Sequence, residues 1–517
     1  MITIIDFGGQ LTLLILRRLR ELKVEACLID PSDVARKPPG TLGVIISGGP
    51  ASVQQQDIEI YRAIESWRVP ILGICFGHQL IAKAHGGRLG NSASQVHGEY
   101  GAAELTLTSL SLLTKNMATR SAVWMSHGDS VVKLPPGADW RTIGQTESSH
   151  HAAITNPTRY LYGVQFHPEA SHTEAGSILL KNFAVKICGA RQDYSPADLV
   201  QDLKKRIHQH VPEGQHVLTA CSLGVDSTTV TVLCQQALGA ERVHPVFVNT
   251  GLLRHEDLAL LEKARDWLPG LHIVQAEDFF LTALTGVSDP NEKRRAVGLS
   301  FWRVFQQETA RLQQQYPIAV YSQGTIAPDA IESAASSDRA AEIKPHHNLV
   351  PRPADFPFEP FEPFREFCLF KDEVREVAKS IGVPEEIRTK HPFPGPGLAI
   401  RVGGALTPDR IRIAREGDAI WMEELKKTGS YDLVAQAGLE VQNDVSVCQR
   451  GDQRHVGWSF VLWAFNTVDF MTAQAARQPE VVDAAWTAIS RIGNEVVGVG
   501  RGMYGMQDKP PATIEWE

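Results

Sequence analysis

Residues 216–239 read HVLTACSLGVDSTTVTVLCQQALG, and they decide what kind of fold the middle of this 517-residue chain adopts. The apolar run 217–220 predicts a buried strand, and 227–238 predicts a helix stopped by Gly239. Between them Cys221-Ser-Leu-Gly-Val-Asp-Ser-Thr-Thr229 is a turn of small and hydroxyl-bearing residues. A strand–turn–helix of this kind aims backbone N–H groups and the positive end of the helix dipole at one spot, which suits phosphate oxygens. No G-K-[ST] follows the glycine, so the turn is not a Walker A loop. What remains is a pyrophosphate cradle of hydroxyls with one carboxylate, Asp226, able to hold a magnesium ion.

This turn resembles the S-G-G-x-D-S-[ST] loop of the N-type ATP pyrophosphatases, which cleave ATP between its α and β phosphates. The resemblance implies that Ser222, Gly224, Val225, Asp226, Ser227 and Thr228 hold the pyrophosphate. Leu223 stands where that family has glycine. A side chain there either crowds the pyrophosphate or points away.

Around this stretch the composition is that of a soluble globular protein, with 43% hydrophobic and 21% charged residues. The length predicts about three domains. A net charge of −8 argues against nucleic acid or an anionic membrane as partner. No apolar run approaches the roughly 20 residues of a spanning helix. Residues 1–10, MITIIDFGGQ, carry no basic leader and predict a first strand instead of a signal peptide. The seven cysteines are odd in number and scattered, with no C-x-x-C pair, which predicts free thiols, no zinc site and a cytoplasmic setting.

In the first third, strand-like runs at 2–5, 44–46, 71–74 and 161–166 alternate with helical patterns at 13–22 and 58–67. Such alternation predicts a parallel sheet with helices on its faces. Ser47-Gly-Gly-Pro50 is a bare turn whose Gly48 and Gly49 N–H groups suit a developing oxyanion. Gly73-Ile-Cys-Phe-Gly77 has the small-x-nucleophile-x-small spacing of a strained strand-to-helix elbow. A cysteine there needs a base, and Gln165-Phe-His-Pro-Glu169 offers His167 with a carboxylate two residues on.

SGGPASV, LGICFGHQ, VWMSHGD and GVQFHPE together resemble the motifs of class I glutamine amidotransferases. That resemblance implies that Cys75 attacks the glutamine amide and His167 shuttles the proton. Glu169 would orient His167, Gly48 and Gly49 would form the oxyanion hole, and the product would be ammonia.

Further along, residues 321–333, YSQGTIAPDAIES, resemble the QGTxxPDxIES segment of the synthetase half, and the resemblance places Gln323 at the ATP site. Residues 343–348, IKPHHN, are similar to the lid that follows, without the usual glycine pair after the asparagine. Residues 351–363 predict a loop, and 371–382 an amphipathic helix. His391-PFPGPGLAI-Arg401 and the closing KPPATIEWE are the signature of the glutamine-hydrolysing GMP synthetase family, and the resemblance covers nearly the whole chain. It implies two parallel-sheet α/β domains plus a C-terminal α+β dimerisation domain. The expected boundaries are 1–193 for the amidotransferase, 194–392 for the ATP pyrophosphatase and 393–517 for dimerisation and acceptor binding. Xanthosine monophosphate would be held by Arg294, Arg401, Asp452, Lys509, Ile514 and Glu515. The implied partners are glutamine, ATP with Mg2+, xanthosine monophosphate and a second copy of the chain.

Four departures cluster in the synthetase half: Leu223, Asn249 in place of aspartate, Leu349-Val350 and Trp463 in place of arginine. They leave open a paralogue that runs the same adenylation and amination on another nucleotide or base-like acceptor. A decayed, purely regulatory synthetase half is disfavoured by the persistence of Asp226, Ser227, Gln323 and the tail.

Overall fold

The computed structural model describes residues 1–9, 11–50, 52–53, 58–91, 99–170, 172–327, 353, 356–450, 452–467, 473–509 and 512–517. The expected PDAIES segment from Pro328 onward, the IKPHHN stretch and Leu349-Val350 lie outside the described residues. The chain divides into two compact units, Met1–Asp198 and Leu199–Glu517.

In the first unit the strands Ala26–Ile29, Ile2–Ile5, Gly43–Ile46, Ile71–Ile74 and Leu161–Val164 lie side by side and parallel. Four of these five are apolar runs buried along their whole length, as a sheet covered on both faces requires. The amphipathic helix Thr12–Glu21 and the helices Glu59–Glu65 and Phe76–Ala84 fill the connections. The sheet then continues, unforeseen in the sequence, through four antiparallel strands: Ala153–Asn156, Arg141–Gln145, Glu99–Leu107 and Arg120–His127.

The second unit holds a five-stranded, all-parallel sheet in the order His272–Gln275, Val243–Asn249, His216–Ala220, Ile318–Ser322, Pro360–Phe361. Strand order reverses beside His216–Ala220, so the carboxyl ends of that strand and of Ile318–Ser322 flank the crevice where doubly wound sheets bind ligands. The last pair corrects the reading of 351–363 as loop alone, since Pro360–Phe361 adds an edge strand to Tyr321 and Ser322. A second sheet is built on the long hairpin Gln436–Arg450/Gln453–Asn466, joined by Gln474–Ala475 and Val499–Tyr504. It packs under the helices Pro408–Lys427 and Pro479–Glu495. One apolar cluster runs from Leu218 and Val246 to Trp421, Leu439 and Phe460, so both sheets of this unit share a core.

No described helix is long and apolar enough to cross a membrane. All seven cysteines are free.

Candidate functional sites

The strand Ile71–Ile74 ends at Cys75, which holds φ 49° and ψ −101° as the first residue before the helix Phe76–Ala84. Positive φ is unfavourable for a side chain bearing a Cβ, and here it is enforced by packing. A Cβ on Gly73 would come within 2.5 Å of the His78 nitrogen, and one on Gly77 would overlap the Ile46 carbonyl. The two glycines thus let strand and helix close on the elbow that presents Cys75.

Around the thiol the chain gathers a buried polar set. Cys75 Sγ lies 3.5 Å from the Ser126 carbonyl oxygen, and Gln165 Nε2 lies 3.6 Å from the sulfur. His167 Nδ1 meets Glu169 Oε1 at 2.7 Å. Burial alone would pull the imidazolium's pKa down. The Glu169 charge, with hydrogen bonds to Cys75 and Glu169, outweighs it, and the His167 value is pushed up to about 10. An imidazolium that persists at neutral pH is ready to give its proton to a leaving amine. A Cβ on Gly48 would stand 3.2 Å from His167 Cε1 and 3.9 Å from Cys75 Cβ, so the bare Ser47–Pro50 turn borders both groups. A cavity of about 730 Å3 opens on this set and reaches Gly49, Gln79 and Trp124.

The expected residues Cys75, His167, Glu169, Gly48 and Gly49 therefore come together. The sequence reading missed Gln79, whose amide joins the Asp129 carbonyl at 2.6 Å and Gln165 Oε1 at 3.2 Å. It also missed the Phe76 N–H, which the first turn of its helix leaves without an intrahelical acceptor beside the nucleophile. The G-x-C-x-G spacing itself was the signal for that donor.

At the switch point of the second unit, the helix begins at Val225, two residues earlier than its sequence pattern suggested, because Gly224 serves as its extended N-terminal cap. Asp226, Ser227 and Thr228 consequently occupy the first turn. Ser227 Oγ accepts from the Ser222 N–H at 3.1 Å and lies 3.0 Å from Ser222 Oγ, which closes the loop on itself. Asp226 Oδ2 faces Lys371 Nζ at 3.5 Å, whereas its Oδ1 is buried with no hydrogen-bond partner among the described residues. Gly324 packs on this turn, a Cβ there falling 2.6 Å from the Asp226 carbonyl carbon. Gln323, beside it, is held by Thr325 Oγ1 at 3.0 Å and by Glu362 Oε1.

Leu223 settles one question raised by the sequence. It adopts φ 55°, the conformation glycine takes freely, and it is 1% exposed. Its side chain packs with Phe247, Leu261, Ala264 and Leu268, away from the loop's open side. Asn249 is turned into local structure: its Oδ1 accepts from the Gly251 N–H at 3.1 Å and its amide donates to Gln275 at 2.7 Å.

The expected acceptor residues fall into four places. Arg294 donates to the Glu517 carbonyl oxygen, and its neighbour Lys293, fully buried, pairs with the Glu517 carboxylate and donates to the Val402 carbonyl at 2.6 Å. Arg401 is fully buried and forks onto both Glu515 oxygens at 3.1 Å while meeting Asp418 at 2.9 Å. Its guanidinium is thus committed to seating the tail. Ile514 fills a small cluster with Trp463, Phe465, Ala473 and Ala475. Lys509 pairs through its backbone with Ala473, and Asp452 sits exposed at the tip of the long hairpin. Trp463 is buried against the Arg401 guanidinium, 5.1 Å from its ring centre.

Comparison with known proteins agrees with this division of chemistry. The chain matches the family "Glutamine amidotransferase class-I" over residues 3–187 and "GMP synthase C terminal domain" over residues 423–516. A "GMP synthase [glutamine-hydrolyzing]" from Symbiobacterium thermophilum is 43% identical, covering 100% of this chain and 99% of its own length. The chain belongs to the glutamine-hydrolysing GMP synthase family. Members from Thermus thermophilus and Candida albicans are 42% and 40% identical over 100% of this chain, covering 100% and 97% of their own lengths.

Proposed function

We propose that the chain makes GMP, transferring glutamine-derived ammonia to adenylated xanthosine monophosphate while ATP is cleaved to AMP and pyrophosphate. The observation that carries this reading is the presence, in one chain, of a cysteine elbow with a buried His–Glu pair and of a hydroxyl loop at a sheet switch point. The first frees ammonia. The second activates a poor leaving oxygen.

In the first unit Cys75 adds to the glutamine side-chain carbonyl, with the Gly48, Gly49 and Phe76 N–H groups facing the oxyanion. His167, oriented by Glu169, protonates the departing ammonia, and water then hydrolyses the thioester to glutamate. In the second unit Ser222, Gly224, Val225, Ser227 and Thr228, with Gln323, hold ATP while the acceptor's O2 attacks the α-phosphorus and pyrophosphate leaves. Ammonia displaces AMP from C2. The unpartnered, buried Asp226 Oδ1 fits a hard cation, and Mg2+ bound there would neutralise phosphate charge. Arg294 and Lys509 supply charge for the acceptor phosphate, Glu515 and Ile514 its ring side, and Asp452 reaches from the hairpin tip.

The same reading divides the chain into working modules at 1–193, 194–392 and 393–517, in a cytoplasmic homodimer. Exposed Val445, Val447 and Val456 on the long hairpin support the pairing, each more than half exposed. Incubation with ATP, glutamine and a panel of nucleotides tests the function. GMP, AMP and pyrophosphate are expected in equal amounts with xanthosine monophosphate alone. Turnover of a different nucleotide in its place overturns the acceptor assignment. Light scattering of the purified chain decides the dimer.

A further inference from the structure

The pyrophosphate loop and the tail that carries Glu515 are joined by an unbroken line of charged and aromatic groups. Lys390 Nζ donates to the Leu223 carbonyl oxygen at 3.2 Å and meets Asp257 Oδ1 at 2.7 Å, with both side chains less than a tenth exposed. Arg254, also buried, holds the same Asp257 carboxylate through Nε at 2.9 Å and NH2 at 3.2 Å. The Arg254 guanidinium lies 4.2 Å from the ring centre of Phe393, and Arg401 lies 5.0 Å from that ring. Arg401 in turn forks onto Glu515.

Each link is of a kind that weakens sharply when displaced. A charge-assisted hydrogen bond to a loop carbonyl fixes one peptide plane. Here the plane belongs to Leu223, whose left-handed backbone is the loop's strained residue. Burial of Asp257 would favour its neutral form, but Arg254 and Lys390 together hold its carboxyl far below the usual range, so the carboxylate stays charged between them. A buried ion set of this kind has one good arrangement and many poor ones. The guanidinium–aromatic stack then carries that arrangement to Arg401.

We propose that Lys390 is a positioning residue for adenylation, and that the line Lys390–Asp257–Arg254–Phe393–Arg401 couples the seating of ATP on the loop to the seating of the acceptor against Glu515. The proposal rests on the functional reading above. Filling either site biases the one arrangement of the buried ions that suits both, so each ligand tightens the other by the same factor.

Calorimetry with α,β-methylene-ATP, in the absence and presence of xanthosine monophosphate, measures that factor on the full chain. The wild type is expected to bind the analogue roughly fivefold or more tightly when xanthosine monophosphate is present. Lys390→Met is expected to weaken the analogue about tenfold and to abolish the tightening, and Lys390→Arg to restore most of both. Phe393→Leu leaves Lys390 in place and should keep the analogue's own affinity while losing the tightening, a split that a general loss of stability would not produce. Failure of the wild type to bind xanthosine monophosphate overturns the functional reading, and the coupling with it. Binding of both ligands with a tightening that survives in Lys390→Met and Phe393→Leu overturns the coupling alone.

Discussion

Glu169 Oε1 meets His167 Nδ1 at 2.7 Å with the two residues 1% and 6% exposed, so the carboxylate sets the proton affinity of the imidazole with little competition from water. The consequence is a His167 pKa of about 10, above the ordinary value near 6.5. A group whose folded value is raised contributes stability that is fully present below its unfolded value and is lost as pH rises through the folded one. The unfolding free-energy difference between wild type and Glu169→Gln is therefore largest near pH 6 and shrinks toward pH 10. Denaturant titrations at both ends of that window check the sign. The same variant should lose about 100-fold or more in glutamine-dependent turnover, since the base is no longer oriented.

Cys75→Ala should abolish glutamine-dependent GMP formation and leave turnover with added ammonium largely intact. The acceptor and ATP groups all lie in the second unit, whereas Cys75 belongs to the first. Loss of both activities in equal measure would remove Cys75 from a role confined to glutamine hydrolysis.

How much of this could be read beforehand depended on how the apolar residues were arranged. Ile2–Ile5, Gly43–Ile46, Ile71–Ile74 and Leu161–Val164 are contiguous apolar runs because both faces are covered, and such runs stand out. Glu99–Leu107 alternates exposed and half-buried positions, EYGAAELTL, and its weak apolar signal left the antiparallel half of the sheet unseen. The nucleophile was legible because the elbow demands small residues at Gly73 and Gly77. The commitment of Arg401 to Glu515 and Asp418 was not, because it depends on partners 114 and 17 residues away. Nor could the sequence say which way Leu223 points, since that is decided by Phe247 and Leu261 on other elements.

Gly77→Ala tests the elbow directly. The added methyl would overlap the Ile46 carbonyl, a backbone atom that cannot swing aside as a side chain would. Overpacking of this kind costs roughly 1–3 kcal/mol. Relief comes by lifting the helix Phe76–Ala84, which carries the Phe76 N–H away from the oxyanion. Thermal unfolding should fall by several degrees, and glutaminase activity should fall more than stability alone accounts for.

Leu223→Gly separates backbone strain from packing. Glycine relieves a left-handed conformation that costs roughly 1–2 kcal/mol. It also empties a buried leucine site, and even a leucine-to-alanine change in a core costs about 2–5 kcal/mol. The cavity wins, so the variant should be destabilised by about 1–3 kcal/mol in spite of restoring the residue common in the resembling loops. Because the side chain faces Phe247, Leu261 and Leu268, the KM for ATP should stay within about threefold of wild type if the Leu223 carbonyl keeps its partner Lys390. A large rise in that KM with unchanged stability would mean that the leucine side chain itself touches the nucleotide.

Asp226→Asn addresses the cation. Asp226 Oδ1 is buried and unpartnered among the described residues, and its other oxygen faces Lys371 at 3.5 Å. A carboxylate left half-satisfied in a first helical turn is costly unless something positive completes it when the site is in use. Asparagine is nearly isosteric and relieves that cost, so folding should be retained or slightly improved. It is a much poorer ligand for a hard divalent ion, however, and it leaves pyrophosphate charge uncompensated at the moment it departs. Pyrophosphate release should drop by about 100-fold or more, while glutaminase activity at Cys75 persists. Raising Mg2+ should recover part of the loss. Pyrophosphate release at the wild-type rate, with no change in its Mg2+ dependence, would place the nucleotide's metal elsewhere.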